Sequence, residues 1–96
     1  MTTPVVRPVA LPAILTQAQA QSLAHALVKE LLGHVAQGAQ AVLDASALTQ
    51  FDSSALAVVL ACRRAVLAQG GQLQVLGLPA RAQALARVYG VTELIG

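Results

Sequence analysis

Two aspartates at the ends of predicted elements are the first candidates for acid–base chemistry or metal binding. Asp44 lies near the end of the apolar run AQAVLDA (residues 39–45), and Asp52 opens the run DSSALAVVL. Paired carboxylates suit proton transfer or a divalent cation when both face one site. Asp44 is expected at the end of a strand and Asp52 at the start of a helix, and no third type of ligand is nearby. We therefore interpret both as structural carboxylates, and the sequence predicts no metal site.

The histidines and the single cysteine do not form a nucleophile arrangement. His25 and His34 are separated by about two and a half turns of one predicted helix, so they point to different sides. Neither pairs with Cys62 as a base pairs with a nucleophile. The Gly70-Gly71 pair lacks the Lys and Ser/Thr of a phosphate-binding loop. The sequence therefore predicts no catalytic residue, no cofactor and no enzymatic activity.

The Asp52-Ser53-Ser54 run is the remaining polar group with a specific position. Asp52 falls at the start of a helix, where its carboxylate accepts a bond from a free backbone N–H and meets the positive end of the helix dipole. Ser53 and Ser54 lie in the first turn, where backbone donors can hold a phosphate attached to a hydroxyl. The simplest interpretation is a helix cap, since these residue types dominate caps. The alternative is a regulatory or contact site.

Composition indicates one small domain, residues 1–96, with a partner surface. Hydrophobic residues make up 56% of the 96 residues and charged residues only 10%. This leaves little polar surface to cover a lone monomer. The formal net charge is +2 and aromatic residues are 2% of the chain. Scattered charges without aromatic platforms argue against nucleic-acid binding.

Cysteine content and hydropathy predict the compartment. A single cysteine excludes an internal disulfide and suits a reducing environment. The N-terminal residues, with three prolines, do not resemble a signal peptide. The longest strongly apolar run, residues 55–62, is far shorter than the ~20 residues that span a bilayer. We expect a cytoplasmic chain that does not insert into the membrane itself.

Hydrophobic periodicity and stop signals define the elements that position these residues. Prolines break the apolar segment 5–15, which suits a short edge strand or a strand pair. Thr16 and Gln19 form a capping box before a helix from Gln17 to about Gln37. The following elements are a strand (39–45), a loop (46–52), a helix (53–69), a strand (72–78) and a helix from residue 80 to about 89, and residues 91–96 are too few to assign. This order predicts an α/β fold with helices against a largely parallel sheet.

The helix after Asp52 is apolar on all sides. Its larger residues fall on one predicted inner face: Leu56, Val59, Leu60, Val66 and Leu67. The opposite face carries Ser54 and a set of small apolar residues: Ala57, Val58, Ala61, Ala65 and Ala68. A helix that is apolar all round is normally covered all round, so we expect this second face to contact a partner protein. Arg63 falls within the inner face, which indicates either a side chain that reaches the sheet edge or an error in the helical phase.

Three segments together resemble the STAS domain family, named for sulfate transporters and anti-sigma factor antagonists. They are DASALTQFDSSALAVVL (44–60), QLQVLGL (72–78) after the double glycine, and ALARVYGVTELI (84–95). The resemblance implies a STAS-type α/β fold, with a four- or five-stranded mostly parallel or mixed sheet and three to four helices mainly on one face. Within the family, the alanine-rich helix and the LARVYGV ending are most similar to the small MlaB-like subunit of the Mla phospholipid ABC transporter, which maintains outer-membrane lipid asymmetry.

The resemblance also implies roles for the turn. In anti-sigma factor antagonists the second hydroxyl accepts phosphate, and this position matches Ser54. In the Mla-type subunit the hydroxyl directly after the aspartate contacts the ATPase, and this position matches Ser53. The implied contact turn is Asp52, Ser53, Ser54 and Ala55, with Ala55 standing where a glycine is common.

Two functions therefore remain. The first is a non-catalytic STAS subunit that binds and stabilises or regulates the ATPase of an Mla-like transporter, and is held at the inner membrane by that partner. The second is a partner switch, bound by a serine kinase or anti-sigma factor and controlled by phosphorylation at Ser54. The alanine-rich face suits a permanent contact better than a reversible one, which favours the transporter subunit. The same apolar face predicts that the isolated chain can form a homodimer.

Overall fold

The computed structural model describes residues 8–95, with side chains as far as Leu94, as an α/β fold of five short strands and four helices. The elements in order are β1 (Val9–Ala10), β2 (Ile14–Leu15), α1 (Gln17–Ala36), β3 (Ala41–Asp44), β4 (Gln50–Phe51), α2 (Ser53–Ala68), β5 (Leu73–Leu76), α3 (Ala80–Val88) and α4 (Thr92–Ile95). The predicted α/β class is confirmed. The two strands of segment 5–15 are β1 and β2, and residues 5–7 lie outside the described part.

The strands form two parallel sheets, where the sequence indicated one. The larger has the order β1-β3-β5, with Leu43 of the central strand opposite Val9 and Val75. The smaller pairs β2 with β4. Strand β4 lies within residues 46–52, which were wrongly assigned as a loop. A strand of two residues is too short to show the alternation of apolar and polar side chains that indicates a strand.

The small sheet brings the starts of two helices together. Leu15 at the end of β2 is opposite Phe51 at the end of β4. Thr16 and Asp52 follow directly, and each is the residue that caps the next helix. Helices α1 and α2 therefore begin side by side, and this pairing positions the candidate site.

The helix boundaries agree with the stop signals to within one or two residues. The Thr16 N–H donates to Gln19 Oε1 at 2.9 Å, as the capping pair predicts. The Thr16 hydroxyl donates to the same oxygen at 2.8 Å. Helix α2 ends at the double glycine, where Gly70 has a φ of 79° and the Gly71 N–H donates to the Val66 carbonyl. Glycine adopts this left-handed conformation without a Cβ clash, so the chain turns here toward β5.

Helices α1 and α2 pack against each other and against the larger sheet around an aliphatic core. The largest fully buried side chains are Leu11, Leu15, Leu31, Leu43, Val42, Val59, Val66 and Cys62. Burying one such aliphatic side chain contributes about 1.5–3 kcal/mol. Among the described residues no polar or charged residue is fully buried.

The inner face of α2 differs from the predicted one by a rotation of roughly a fifth of a turn. Its buried residues are Ala55, Leu56, Val58, Val59, Cys62 and Val66. Val58 is only 2% exposed, so its assignment to the outer face was wrong. Leu67, expected inside, is 43% exposed. The error in phase also accounts for Arg63, which is half-buried beside Leu67 and the start of β5 rather than under the helix.

Candidate functional site

Asp52 caps two helices with one carboxylate. Its Oδ1 accepts the Ser54 N–H at 2.8 Å, and its Oδ2 accepts the Gln17 N–H at 3.3 Å. These donors belong to the first turns of α2 and α1, where helix dipoles favour negative charge. The hydrogen bond from the Ser54 N–H is the main cause of a lowered pKa of Asp52, against a smaller opposing effect of desolvation. Asp52 is thus an ionised structural carboxylate.

Asp44 has a similar structural role at another place. Its Oδ1 accepts the Ser46 N–H at 2.9 Å in the turn after β3. Hydrogen bonds from Ser46, from its side chain first and its backbone second, lower the pKa of Asp44. Among the described residues no three His, Cys, Asp or Glu side chains form a group that could hold a metal ion.

The cysteine and the histidines are not brought together. Cys62 is fully buried in the core, and desolvation raises the pKa of its thiol to about 11. His25 is exposed on α1, whereas His34 is half-buried near the end of the same helix. A thiol with so high a pKa is almost entirely protonated at neutral pH and is a weak nucleophile.

The residues of the predicted contact turn differ in exposure. Ser53, the first residue of α2, is exposed, and Ser54 is half-buried. Ala55 is 2% exposed and belongs to the core, so its side chain is not available to a partner. The contact of the turn itself stays a prediction. Ser53 is therefore the hydroxyl that the turn presents outward.

Ser53 opens into a groove between the start of α2 and helix α3. The groove has a volume of about 420 Å³, and its lining residues are Phe51, Asp52, Ser53, Arg81, Ala84, Leu85 and Tyr89. The Arg81 guanidinium lies 5.1 Å from the centroid of the Phe51 ring, in cation–π geometry. We call this the α2–α3 groove.

The α3 side of this groove was not predicted from the sequence. Arg81, Leu85 and Tyr89 are spaced by four residues, so they follow one another along one side of the helix. Tyr89 is 58% exposed and its neighbour Val88 is 81% exposed. The spacing was visible in the sequence, but its meaning depended on α3 lying beside the start of α2.

The predicted contact face of α2 is exposed only in part. Ala57 and Ala68 are exposed, Ala61 and Ala65 are half-buried, and Val58 is buried. Part of the alanine run is therefore used inside the domain. The outermost strip of α2 consists of Ser53, Ala57, Arg64, Leu67 and Ala68. The contact of this helix with a partner stays a prediction.

These features define a small α/β domain whose polar turn begins a helix, with its aspartates engaged in capping and turn bonds. A family model described as "Mlab, STAS domain" matches residues 9–96. The chain belongs to the STAS domain family, whose members are generally non-catalytic. No curated protein sequence gives a significant match. None of the helices within residues 8–95 is long and apolar enough to cross a membrane.

Proposed function

We propose that this chain is the non-catalytic STAS subunit of an Mla-like phospholipid ABC transporter, and that it binds and stabilises or regulates the ATPase. The description of the matching family model and the similarity of the LARVYGV ending support this assignment. The observation that carries it is the position of Ser53. This hydroxyl is exposed at the start of α2 and opens into the α2–α3 groove, as a contact residue requires.

Binding, rather than chemistry, is what this surface offers. The Asp52 carboxylate already accepts two backbone N–H groups, and Cys62 is buried with a raised pKa. Beside the turn lies the Tyr89 side chain, which lines the groove, is 58% exposed and can be covered by a partner. Exposed aromatic and aliphatic residues next to polar groups are typical of protein interfaces.

The exposures of the two serines favour the ATPase contact over a phosphorylation switch. The alternative function places the phosphoacceptor at Ser54, which is half-buried and whose N–H is bound to Asp52. The ATPase contact requires Ser53, which is exposed. We therefore place the partner over Ser53 and the outermost strip of α2.

An affinity purification of the tagged chain from its own cells tests the assignment. We expect an ABC ATPase and its permease to be recovered with the wild-type chain. Ser53→Arg introduces a bulky cation at the contact and should abolish recovery. Ser22→Arg is the matched control, because Ser22 is an exposed serine on α1, away from the groove.

A second pair of variants tests the α2 strip. Ala57→Glu should abolish recovery of the ATPase, whereas Ala26→Glu, at an exposed alanine of α1, should not. Recovery of a serine kinase in place of the ATPase, with phosphate on Ser54, would contradict the transporter function and establish the partner switch. Equal recovery by all four variants would exclude this surface.

A further inference from the structure

The α2–α3 groove contains an exposed arginine that is not held in an ion pair by the described residues. Arg81 is exposed and lies over the Phe51 ring, and it forms no ion pair within residues 8–95. The carboxylate of Asp52 also lines the groove, but its oxygens accept the N–H groups of Ser54 and Gln17. The guanidinium donors of Arg81 therefore remain available to a ligand.

The wall next to this cation is apolar. Ala84, Leu85 and Tyr89 line the same groove, and Tyr89 is more than half exposed. Arginine and tyrosine are the residue types on which interface energy is most often concentrated. The groove thus combines one charged and one apolar subsite.

Charge is distributed unevenly over the elements that form the groove. Helix α2 contains Arg63 and Arg64, helix α3 contains Arg81 and Arg87, and neither helix contains an acidic residue. Helix α1, by comparison, carries one Lys and one Glu. The groove itself is lined by Arg81 and by Asp52, whose oxygens already accept backbone N–H groups. The group left to bind a docking segment is therefore Arg81, and it favours a carboxylate over a cation.

We propose that the α2–α3 groove is a docking site for a partner segment that carries a carboxylate next to a large apolar side chain. The carboxylate pairs with Arg81, whose planar fork suits bidentate binding. The apolar side chain packs on Leu85 and Tyr89. This inference deepens the proposed function, since it takes the segment to belong to the ATPase.

Neutralising Arg81 tests the charged subsite. Titration calorimetry with the ATPase is expected to show that Arg81→Gln raises the Kd about 30-fold or more, because one partner of a desolvated charge pair is removed. Arg81→Lys keeps the charge without the fork and should give an intermediate Kd. Arg87→Gln is the matched control on α3, because Arg87 is exposed but does not line the groove. The Kd of this variant for the ATPase should differ from the wild-type Kd by less than about 2-fold. Equal effects of the two Gln variants would overturn the proposal.

A selection that does not use the ATPase separates this inference from the proposed function. Phage-displayed random peptides selected on the immobilised wild-type chain should be enriched in Asp or Glu next to an aromatic or aliphatic residue. The enriched peptides should lose binding to Arg81→Gln and keep it to Arg87→Gln. Peptides without an acidic residue, an unenriched pool, or equal binding to both variants would contradict the proposal. If the wild-type chain fails to bind the ATPase, the proposed function is wrong. The peptide selection then still tests whether the groove binds a segment with a carboxylate next to an apolar side chain.

A phosphate on the chain itself is an alternative to a partner carboxylate as the acidic group that binds Arg81. Ser53 lines the groove together with Arg81, so a phosphate on the Ser53 hydroxyl would pair with the same guanidinium. The intact mass of the natively purified chain distinguishes the two sources. An unmodified Ser53 is expected, and stoichiometric phosphate on Ser53 would overturn the assignment of Arg81 to a partner carboxylate.

Discussion

Asp52 stabilises the starts of α1 and α2 through one carboxylate, and its removal should affect the whole domain. Asp52→Ala leaves the N–H groups of Ser54 and Gln17 without their acceptor. We expect the Tm at neutral pH to fall by roughly 5 °C, the usual effect of losing a helix cap in a domain of this size. Asp52→Asn, which keeps an oxygen acceptor, should lose less. Thermal unfolding followed by circular dichroism measures both.

The difference in Tm between wild type and Asp52→Ala should depend on pH. The folded-state pKa of Asp52 is lowered below its ordinary value of 3.8, so its stabilisation is present above that value and lost as pH falls through the folded pKa. The two Tm values should therefore converge as the pH is lowered below 3.8 and through the folded-state pKa. A gap that stays constant with pH would show that the cap acts only through packing.

Cys62 should be unreactive while the domain is folded. Burial raises the pKa of its thiol from 9.0 to about 11, so the thiolate is scarce at neutral pH and inaccessible in the core. Folded protein is expected to react with a chromogenic disulfide reagent only as fast as it unfolds, and denatured protein at once. Fast reaction of the folded chain would place Cys62 at the surface and contradict this packing of α2.

The helical phase of α2 can be tested by truncating two side chains that the sequence placed on the wrong sides. Val58→Ala removes a buried side chain and should lower the free energy of unfolding by about 2 kcal/mol. Leu67→Ala truncates a 43% exposed side chain and should lower it by less than about 1 kcal/mol. Denaturant titration gives both values. A larger loss for Leu67→Ala than for Val58→Ala would support the inner face that the sequence predicted.

The residue after β5 approaches the turn after β3 so closely that it must be a glycine. Gly77 has a φ of 67°, and a Cβ added to it would lie 2.8 Å from the Ser46 Cβ. Gly77→Ala should therefore lower the free energy of unfolding by about 2 kcal/mol or more. Gly33→Ala is the contrasting control, because Gly33 lies within α1 with nothing near its missing Cβ, and alanine should stabilise the helix by up to ~1 kcal/mol. Effects of the same sign would refute the argument.

Sequence patterns predicted long elements well and three-dimensional neighbours poorly. The capping pair Thr16–Gln19 and the double glycine after α2 are local signals, and both helices begin or end where they indicate. Strand β4 has two residues and exists because β2 lies beside it. The phase of α2 was misjudged because large and small apolar residues surround the helix, so periodicity alone did not define one face.

The sequence likewise predicted only those parts of the candidate site whose residues are neighbours in the chain. The cap at Asp52 and the exposed hydroxyl of Ser53 follow from residue types at a helix start. Arg81 and Tyr89 belong to the same groove through the packing of α3, and they are about thirty residues further along the chain. No spacing rule connects residues at such separation without the fold.

At the scale of the whole molecule, the formal charge of +2 comes from six basic and four acidic residues. Four of the six basic residues are the arginines of α2 and α3, and all four acidic residues, Glu30, Asp44, Asp52 and Glu93, lie outside these two helices. Such an arrangement orients an approaching acidic partner before contact. Arginines far from the contact and arginines within it should affect different rate constants. Long-range charge changes the association rate constant, whereas close ion pairs change the dissociation rate constant.

We therefore expect the association rate constant with the ATPase to fall severalfold between about 50 and 500 mM salt, as screening shortens the Debye length. Arg64→Gln, on the outermost strip of α2, should lower the association rate constant at low salt and flatten its salt dependence with little effect on dissociation. Arg81→Gln should mainly accelerate dissociation. Lys29→Gln on α1 is the control that removes the same charge away from the groove. Stopped-flow measurements separate the two constants, and a salt-independent association rate would show that the arginines do not face the partner.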